Sequence, residues 1–399
     1  MNTVVFVAGV GVISAIGNNL PECIGALEKG ETGITDINYL PTNHRGSLPV
    51  GEVKLSNTEL AALSGFSPAA SRTAMLSMVA AVEALHNSGI GKLQGLRTGF
   101  VSANTAGGID KTEDFCIDFI NDHNKGKLRD MLYHECGTIT AMVAEKLGIK
   151  NHIVTISTAC SSSANAIMYA ARLIKHNMAD AVIAGGTDAL TRFSLNGFNT
   201  LMVLDEQYCK PFDEHRNGLN LGEGAGYVVL VSERVASMLS NDPYCTLSGY
   251  NNANDAYHQT STSPEGNGPF WAMTGALKMA NLQPEDIDYI NLHGTGTQNN
   301  DSSEGAAIEK LFDPAYPKMS STKAFTGHTL GASAGIEAVF SALSVQRGFV
   351  YPNIRLHTPM AEFSFVPETE FSKRPDLRHV LSNSFGFGGN CSSLVFSKV

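Results

Sequence analysis

The sequence contains few charged residues, a single tryptophan and no stretch rich in lysine and arginine. Charged side chains make up 17% of the 399 residues, and the formal net charge is −10. A chain without a basic stripe cannot neutralise the phosphates of a nucleic acid, so we expect no nucleic-acid binding. A local basic patch that receives an acidic protein partner is still compatible with this overall charge.

The sequence also lacks paired cysteines and a long apolar run. Its seven cysteines are scattered, with no CxxC pair, so we expect reduced thiols and a cytoplasmic location. The apolar N-terminus has no basic residue before Lys29 and is too short to span a bilayer. We therefore expect a buried first strand there, and neither a signal peptide nor a membrane span.

Short β-branched runs alternate with alanine-rich helical stretches, which predicts an α/β architecture. The expected strands lie at 3–10, 98–103, 153–157, 180–185, 226–232, 288–292 and 392–397. The expected helices lie at 70–88, 138–147, 162–176, 268–281, 302–311 and 331–346.

Two of these helices, 162–176 and 331–346, are apolar on every side and not along one stripe. A helix of this kind is buried all round. One such helix in each half of the chain predicts a layered structure with a helical central layer. We place the division between the halves at residues 1–240 and 241–399.

Cys160 follows the β-branched run that ends at Ile156 and precedes a helical stretch of small residues. A thiol at a helix start lies in a field that favours the thiolate, which is the nucleophilic form. The alternative is a buried structural cysteine, which is common.

Two histidine motifs follow downstream. His293 ends an apolar run and precedes the alternating glycines and threonines of HGTGT, which alone could instead be a phosphate-binding loop. His328 comes just before a buried helix, where its imidazole should stay neutral and donate one hydrogen bond to a developing oxyanion. Lys323, if buried, needs a carboxylate partner, and Asp301 and Glu304 are candidates. A surface ion pair is the alternative for Lys323 and Glu304.

A glycine-rich segment near the end of the chain, Gly386-Phe387-Gly388-Gly389, reads as a mobile turn that presents an aromatic ring and backbone N–H groups. The alternative is an ordinary β-turn before the last strand.

These four motifs, in this order, resemble the β-ketoacyl-acyl carrier protein synthases of the elongating Cys-His-His type. The resemblance spans nearly the whole chain, from Gly9 to Phe396. It implies a thiolase-like five-layered αβαβα fold with two similar halves. It also implies a decarboxylative Claisen condensation of an acyl thioester with malonyl-acyl carrier protein. The expected partners are an acyl carrier protein and a second subunit, as a homodimer or as a heterodimer with another ketosynthase-like chain.

The resemblance also implies a role for each matching residue. Cys160 carries the acyl group, and its backbone N–H forms an oxyanion hole with that of Phe387, the gating aromatic. His293 and His328 hold the malonyl thioester carbonyl. The remaining expected site residues are Lys323 paired with Glu304 for charge balance, Thr295 and Thr297 against the phosphopantetheine arm, and Gly386, Gly388 and Ala106 against substrate. No cofactor and no metal are expected, because loss of CO₂ drives carbanion formation.

The chain departs from the family pattern at three places. Asn390-Cys391 stands where Thr-Asn is usual, and Asn217 stands where an acidic residue is common. Ala106 falls where a bulkier aliphatic side chain often closes the acyl pocket, so we expect a deeper pocket that accepts longer or bulkier acyl chains.

Three other functions compete with this interpretation. A non-catalytic partner subunit, like a chain-length factor, normally lacks the nucleophile that is present here. A thiolase-like enzyme acting on coenzyme A would need a second cysteine as base, and Cys391 has the wrong context. A dinucleotide-binding fold is suggested by Gly9-Val10-Gly11, but Ser14 occupies the third glycine position.

Overall fold

The computed structural model describes residues 3–91, 93 and 95–399. The strands are β1 Val5–Ser14, β2 Thr98–Ala103, β3 His152–Ile156, β4 Ala181–Asp188, β5 Gly224–Ser232, β6 Cys245–Asn254, β7 Tyr289–Asn291, β8 Lys318–Ser320, β9 Phe349–Val350, β10 Ser372–Lys373, β11 His379–Gly386 and β12 Asn390–Ser397.

The helices alternate with these strands along the chain. They are α1 Leu20–Lys29, α2 Asn57–Ser64, α3 Arg72–Asn87, α4 Ile109–Asn121, α5 Cys136–Leu147, α6 Ser162–Lys175, α7 Arg192–Thr200, α8 Glu233–Ala236, α9 Asn267–Ala280, α10 Gln298–Phe312, α11 Lys323–Thr326 and α12 Ser333–Arg347. Short 3₁₀ turns lie at Leu128–Tyr133, Pro284–Asp286, Leu330–Ala332 and Phe387–Gly389.

The same strand order occurs twice. Ten strands form one hydrogen-bonded array in the order β3-β2-β4-β5-β1-β6-β12-β11-β7-β8. When the five strands of each half are numbered from one along the chain, both halves have the spatial order 3-2-4-5-1. The parallel and antiparallel pairings also correspond between the halves. The first strands of the two sets, β1 and β6, join them by a short antiparallel pairing at Phe6–Thr246 and Val7–Cys245.

The two five-stranded sheets enclose a helical layer. Helices α6 and α12 contact each other and also contact strands of both sets, while α3 and α5 pack on the first set and α9 on the second. Helix α10 packs against α9. Every residue of α12 from Ser333 to Val345 is buried. The expected αβαβα layering is therefore confirmed, because a helix in the central layer can be apolar on all sides.

Five strands lie outside the sequence expectations: β6, β8, β9, β10 and β11. Strands β6 and β11 are rich in asparagine and serine, which lowers their apparent strand propensity. Their buried polar side chains are satisfied inside the protein, as when the Asn383 amide donates to Glu304 Oε1 at 3.1 Å. These polar strand ends lie close to the candidate site. No helix in the described part of the chain is long and apolar enough to cross a membrane.

Helix α12 approaches β5 closely because two glycines face each other. A Cβ built on Gly335 would lie 2.4 Å from the Gly226 carbonyl oxygen, and one on Gly226 would lie 2.3 Å from the Ile336 nitrogen. Such distances leave no room for a methyl group. Because neither glycine has a side chain, α12, the central helix that follows His328, packs directly against the backbone of β5.

We expect Gly335→Ala to lower the free energy of unfolding by ~1–3 kcal/mol, because the added methyl group overpacks the contact with β5. Chemical denaturation measures this change. Gly25→Ala is the matched control, since a Cβ on Gly25 in α1 meets no atom within 4 Å, and a helical Gly→Ala change stabilises by ~0.5–1 kcal/mol. Equal unfolding free energies for the two variants would contradict the close packing of α12.

Candidate active site

Three buried side chains from separate segments converge in one place. Cys160, His293 and His328 are 6%, 1% and 3% exposed. The Cys160 sulfur and one ring nitrogen of each histidine all lie within 4.8 Å of one another. His328 Nε2 is 3.1 Å from Cys160 Sγ, and the two imidazole rings are perpendicular with centroids 5.5 Å apart. The structure thus brings together the three residues that three separate sequence motifs singled out.

The turn that carries Cys160 lies between β3 and α6. Ala159 has φ +53°, a left-handed conformation that a non-glycine residue adopts only when its surroundings hold it there. Serine hydroxyls provide this support: Ser162 Oγ accepts the Thr158 N–H at 2.8 Å, and Ser161 Oγ donates to the Thr158 carbonyl at 2.8 Å. The small polar residues around Cys160 therefore build the turn that points its sulfur into the site.

Cys160 is a neutral thiol at rest. Burial raises the pKa of the thiol to about 11, although the Lys323 ammonium and the backbone N–H groups of Phe387 and Cys160 oppose this rise. The expectation that the helix start favours the thiolate is thus wrong for the resting site, because desolvation outweighs the local field. Both N–H groups are near enough to the sulfur to oppose the rise of its pKa, and their role as the expected oxyanion hole stays a prediction.

The hydrogen bonds around His328 determine where its proton lies. Nδ1 accepts the backbone N–H of Leu330 at 3.0 Å and also lies 3.1 Å from Ser333 Oγ. Because a backbone N–H can only donate, the ring proton must be on Nε2, which faces Cys160. Burial, reinforced by the charge of Lys323, lowers the pKa of His328 to about 3. His328 is therefore a neutral hydrogen-bond donor towards the site.

Lys323 determines where the ring proton of His293 lies. Its ammonium donates to His293 Nδ1 at 3.1 Å and to the His293 carbonyl at 2.6 Å. Since Nδ1 accepts, the proton of this ring also lies on Nε2. Burial, together with the charge of Lys323 and the neighbouring His328, places the pKa of His293 well below its ordinary value. The site therefore holds two neutral imidazole donors.

The expected ion pair between Lys323 and Glu304 is wrong. The ammonium of Lys323, 1% exposed, pairs with Glu337 of α12. Glu304 instead accepts the backbone N–H groups of His293 at 2.9 Å and Gly294 at 2.8 Å. Lys323 and Glu304 reach His293 from different directions, one through the side chain and carbonyl and the other through the backbone N–H.

Burial raises the pKa of Glu304 to about 7 despite these backbone donors, and it raises the pKa of Glu337 to about 7 against the charge of Lys323. The other candidate partner, Asp301, also accepts backbone N–H groups, from Thr295 at 3.0 Å and Phe212 at 2.8 Å. The carboxylates of α10 therefore stabilise the backbone of the HGTGT turn, and the ion pair with Lys323 is formed by α12.

The glycine-rich segment lies directly against the cysteine turn. Ser384 Oγ donates to the Cys160 carbonyl at 3.0 Å. The half-buried Phe387 ring stacks on Phe198 of α7, with centroids 5.7 Å apart and an interplanar angle of 16°. Gly388 has φ +79°, and its N–H donates to the Gln259 carbonyl at 2.8 Å, so this N–H is not free to contact a substrate.

Asn390 follows this segment and anchors it. Its Oδ1 lies 2.6 Å from Ser161 Oγ and accepts the amides of Asn165 at 3.1 Å and Asn252 at 2.7 Å. This cluster ties the segment to the cysteine turn at the position where the chain departs from Thr-Asn. The asparagines are far apart in the sequence, so no local pattern could have identified the cluster.

Two cavities meet at Cys160. The first, of about 360 Å³, is lined by the two histidines, by Gly386, by polar residues that include Thr295, Thr297 and Asn217, and by apolar residues such as Val203. The second, of about 400 Å³, is mainly apolar and is lined by Thr105, Ala106, Ala159, Phe193, Ser194, Gly197 and Leu330. Cys160, Phe198, Leu201 and Phe387 line both cavities. The stacked rings therefore lie between the apolar cavity and the first, more polar one, which we call the polar cavity.

The cysteine and the two histidines also form a soft donor set of the kind that binds zinc. Both imidazoles are neutral, but the thiol would have to lose its proton to become a ligand. The sequence expectation of no metal at this site stays a prediction.

Comparisons with known proteins agree over the whole length. Residues 2–236 match the family model of the beta-ketoacyl synthase N-terminal domain, and residues 244–357 match that of the C-terminal domain. The 3-oxoacyl-[acyl-carrier-protein] synthase 2 of Staphylococcus aureus (strain COL) is 35% identical over 419 residues, which cover 100% of this chain and 99% of the relative.

Two solved structures have the same fold over the full chain. The ishigamide ketosynthase/chain length factor has a TM-score of 0.94 and 27% identity, with 100% of both chains covered. A ketosynthase in complex with its chain length factor from Xenorhabdus doucetiae has a TM-score of 0.86 and 28% identity, covering 100% of this chain and 98% of the other.

We expect Lys323→Met to raise the pKa of His293, because the adjacent positive charge is removed while the ring stays buried. A pH titration of ¹³C-labelled histidines by NMR, assigned with His293→Asn, measures this change. Lys318→Met is the control, since Lys318 forms an exposed ion pair with Glu368 at 2.8 Å.

Removing Lys323 alone leaves Glu337 buried without its cation, which costs ~3–5 kcal/mol of stability. The double variant Lys323→Met/Glu337→Gln avoids this cost and should show the same rise in the pKa of His293. An unchanged pKa in both variants would contradict the role of Lys323.

Proposed function

The chain belongs to the β-ketoacyl synthase family, and we propose that it catalyses a decarboxylative Claisen condensation. In this reaction an acyl group held on Cys160 is joined to malonyl-acyl carrier protein, which gives a β-ketoacyl-acyl carrier protein. One observation carries the proposal: a thiol lies beside two neutral imidazoles, each with its proton on the nitrogen that faces the site. This arrangement supplies a nucleophile and two donors for a developing enolate.

In the first half-reaction the Cys160 sulfur attacks the thioester carbonyl of an acyl carrier. The carbonyl oxygen becomes an oxyanion, which the backbone N–H groups of Cys160 and Phe387 stabilise. The carbon–sulfur bond to the carrier then breaks, and the departing thiolate takes up the proton that Cys160 loses. The products are acyl-Cys160 and the free carrier thiol.

In the second half-reaction the malonyl thioester places its thioester carbonyl oxygen between His293 and His328. The bond to the malonyl carboxylate breaks and releases CO₂, and its electron pair forms an enolate held by the two Nε2–H donors. The enolate carbon attacks the carbonyl of acyl-Cys160 and forms the new carbon–carbon bond. The bond from that carbonyl to Cys160 breaks, and the sulfur recovers a proton from solvent.

The non-catalytic subunit is the alternative function. The ishigamide and Xenorhabdus doucetiae structures contain chain length factors by their titles, so this alternative belongs to the same fold. The convergence of Cys160, His293 and His328 within 4.8 Å favours the catalytic role, since a subunit that performs no chemistry does not need this geometry.

The presence of two cavities suggests that the carrier arm and the acyl chain of the substrate bind in different places. We propose that the polar cavity admits the phosphopantetheine arm along Thr295 and Thr297, whose hydroxyls are 2.9 Å apart. The apolar cavity would receive the acyl chain past Ala106. Substrates would therefore arrive on an acyl carrier protein, and we propose that the reaction uses no further cofactor.

We propose that the chain works as a dimer, either with a second copy or with another ketosynthase-like chain. Strand β3 is at the outer end of the strand array, and its Ile153 is 40% exposed. An unpaired strand edge with exposed apolar side chains is suited to pairing with a second chain.

The division into halves at residues 1–240 and 241–399 is supported by the repeated strand order. All seven cysteines are free, which supports a cytoplasmic location.

The proposal predicts an acyl adduct on Cys160 when the protein is mixed with an acyl-acyl carrier protein. Intact-mass spectrometry detects this adduct, which should disappear in Cys160→Ala and persist in Cys116→Ala, since Cys116 is an exposed cysteine outside the site. Adding malonyl-acyl carrier protein should then discharge the adduct and yield β-ketoacyl product. A wild-type protein that never acquires the acyl group would instead support the non-catalytic alternative.

We also expect the side chain at position 106 to limit acyl length. Ala106→Ile extends the side chain into the apolar cavity, so acylation by long-chain substrates should fall about tenfold or more while that by short-chain substrates persists. A ladder of acyl carriers of increasing chain length, scored by kcat/KM for acylation, measures the cutoff. A sharp short-chain cutoff already present in the wild-type protein would contradict the deep pocket.

A further inference from the structure

We infer that Asp188 is a positioning residue that holds the wall of the apolar cavity and thereby sets which acyl chain lengths the protein accepts. The inference rests on the proposed function, because it assigns that cavity to the acyl chain. Asp188 ends β4 and does not line the cavity itself. Its effect is on the two segments that do.

The Asp188 carboxylate joins these two segments. On one side it accepts the backbone N–H of Thr105 at 3.0 Å and the Thr105 hydroxyl at 2.9 Å. On the other side it accepts the backbone N–H of Gly331 at 2.7 Å. Thr105 and its neighbour Ala106 line the cavity, as does Leu330, the neighbour of Gly331. One side chain therefore holds both parts of the wall at a fixed separation.

Burying a carboxylate in order to connect two loops costs folding free energy. Asp188 is 1% exposed, and no lysine, arginine or histidine of the described residues forms an ion pair with it. Burial raises its pKa to about 6, against the hydrogen bonds that it accepts. Only N–H and hydroxyl donors compensate its charge, so removing one acceptor oxygen weakens the whole connection.

The same turn also supports the catalytic imidazole. Leu330 has φ +53°, and its N–H is the donor to His328 Nδ1. A Cβ on Gly331 would lie 2.8 Å from Asp188 Oδ2 and 2.9 Å from the Thr105 methyl carbon. Because the three residues are packed this closely, a movement of Thr105 changes the cavity wall next to Leu330.

Asp188→Asn tests the inference with almost no change of shape. The amide replaces one acceptor oxygen by an NH₂ group that faces other donors, so the wall should loosen. We expect the ratio of kcat/KM for acylation, long-chain over short-chain carrier, to rise about tenfold relative to wild type. A loss of folded protein lowers both rates equally and leaves this ratio unchanged, so the ratio separates positioning from general damage.

Thr105→Val is the second variant, since it removes the hydroxyl donor and keeps the branched shape. It should shift the ratio in the same direction even if Asp188→Asn does not fold. Glu83→Gln is the matched control, because Glu83 is a partly buried carboxylate that accepts the N–H groups of Val12 and Leu20 away from the cavity. Its ratio should equal that of wild type.

An unchanged ratio in both variants, or an equal fall for every chain length, would overturn the role of Asp188 and leave the proposed function standing. Failure of the wild-type protein to acylate with any carrier would overturn the proposed function, and the inference with it.

Discussion

The buried ammonium of Lys323 is the contact on which the rest of the site depends. It is held by Glu337 of the central helix, and it donates to both the ring and the carbonyl of His293. Because it cannot accept a proton from Nδ1, it fixes the imidazole with its proton facing Cys160. Burial lowers the pKa of both imidazoles, and the charge of Lys323 lowers it further in each, so burial and this one cation together keep both rings neutral. The close packing of α12 on β5 at Gly335 and Gly226 fixes the position of Glu337 and therefore that of the Lys323 ammonium.

The cysteine occupies the boundary between two environments. Most of the polar lining residues belong to one cavity, the other cavity is mainly apolar, and the stacked Phe198 and Phe387 rings line both. Under the proposed function, the carrier arm would occupy the more polar cavity and the acyl chain the apolar one, because the two parts of the substrate differ in polarity in the same way. The Asn390 cluster fixes the base of the Phe387 segment to the cysteine turn. The position of the Phe387 segment relative to the nucleophile therefore depends on this cluster.

The sequence predicted the layers and the three central residues, because those features have local signals. Helices that are apolar on all sides identify a central layer, and Cys160, His293 and His328 each stand beside a distinctive motif. The partner of Lys323 had no such signal. Glu304 and Glu337 are both within reach along the chain, and only the packing of α12 decides between them. Asp188 was not identified, and Asn390 was noted only as a departure from the family pattern, because the partners of both come from distant segments. Strands β6 and β11 were missed for a related reason, since their polar side chains are satisfied only in the folded site.

The resting state of Cys160 explains why the site needs its substrate before it reacts. With a pKa of about 11, the thiol is protonated at neutral pH, so the helix start does not produce a standing thiolate. The N–H groups of Cys160 and Phe387, which lower the pKa of the thiol at rest, would also be the donors for the oxyanion of the incoming thioester. Negative charge is then best stabilised on the substrate oxygen. The two neutral histidines likewise favour charge that appears on an enolate oxygen over charge already present on sulfur. The buried, neutral site therefore opposes ionisation in the absence of substrate and stabilises the anions that form during the reaction.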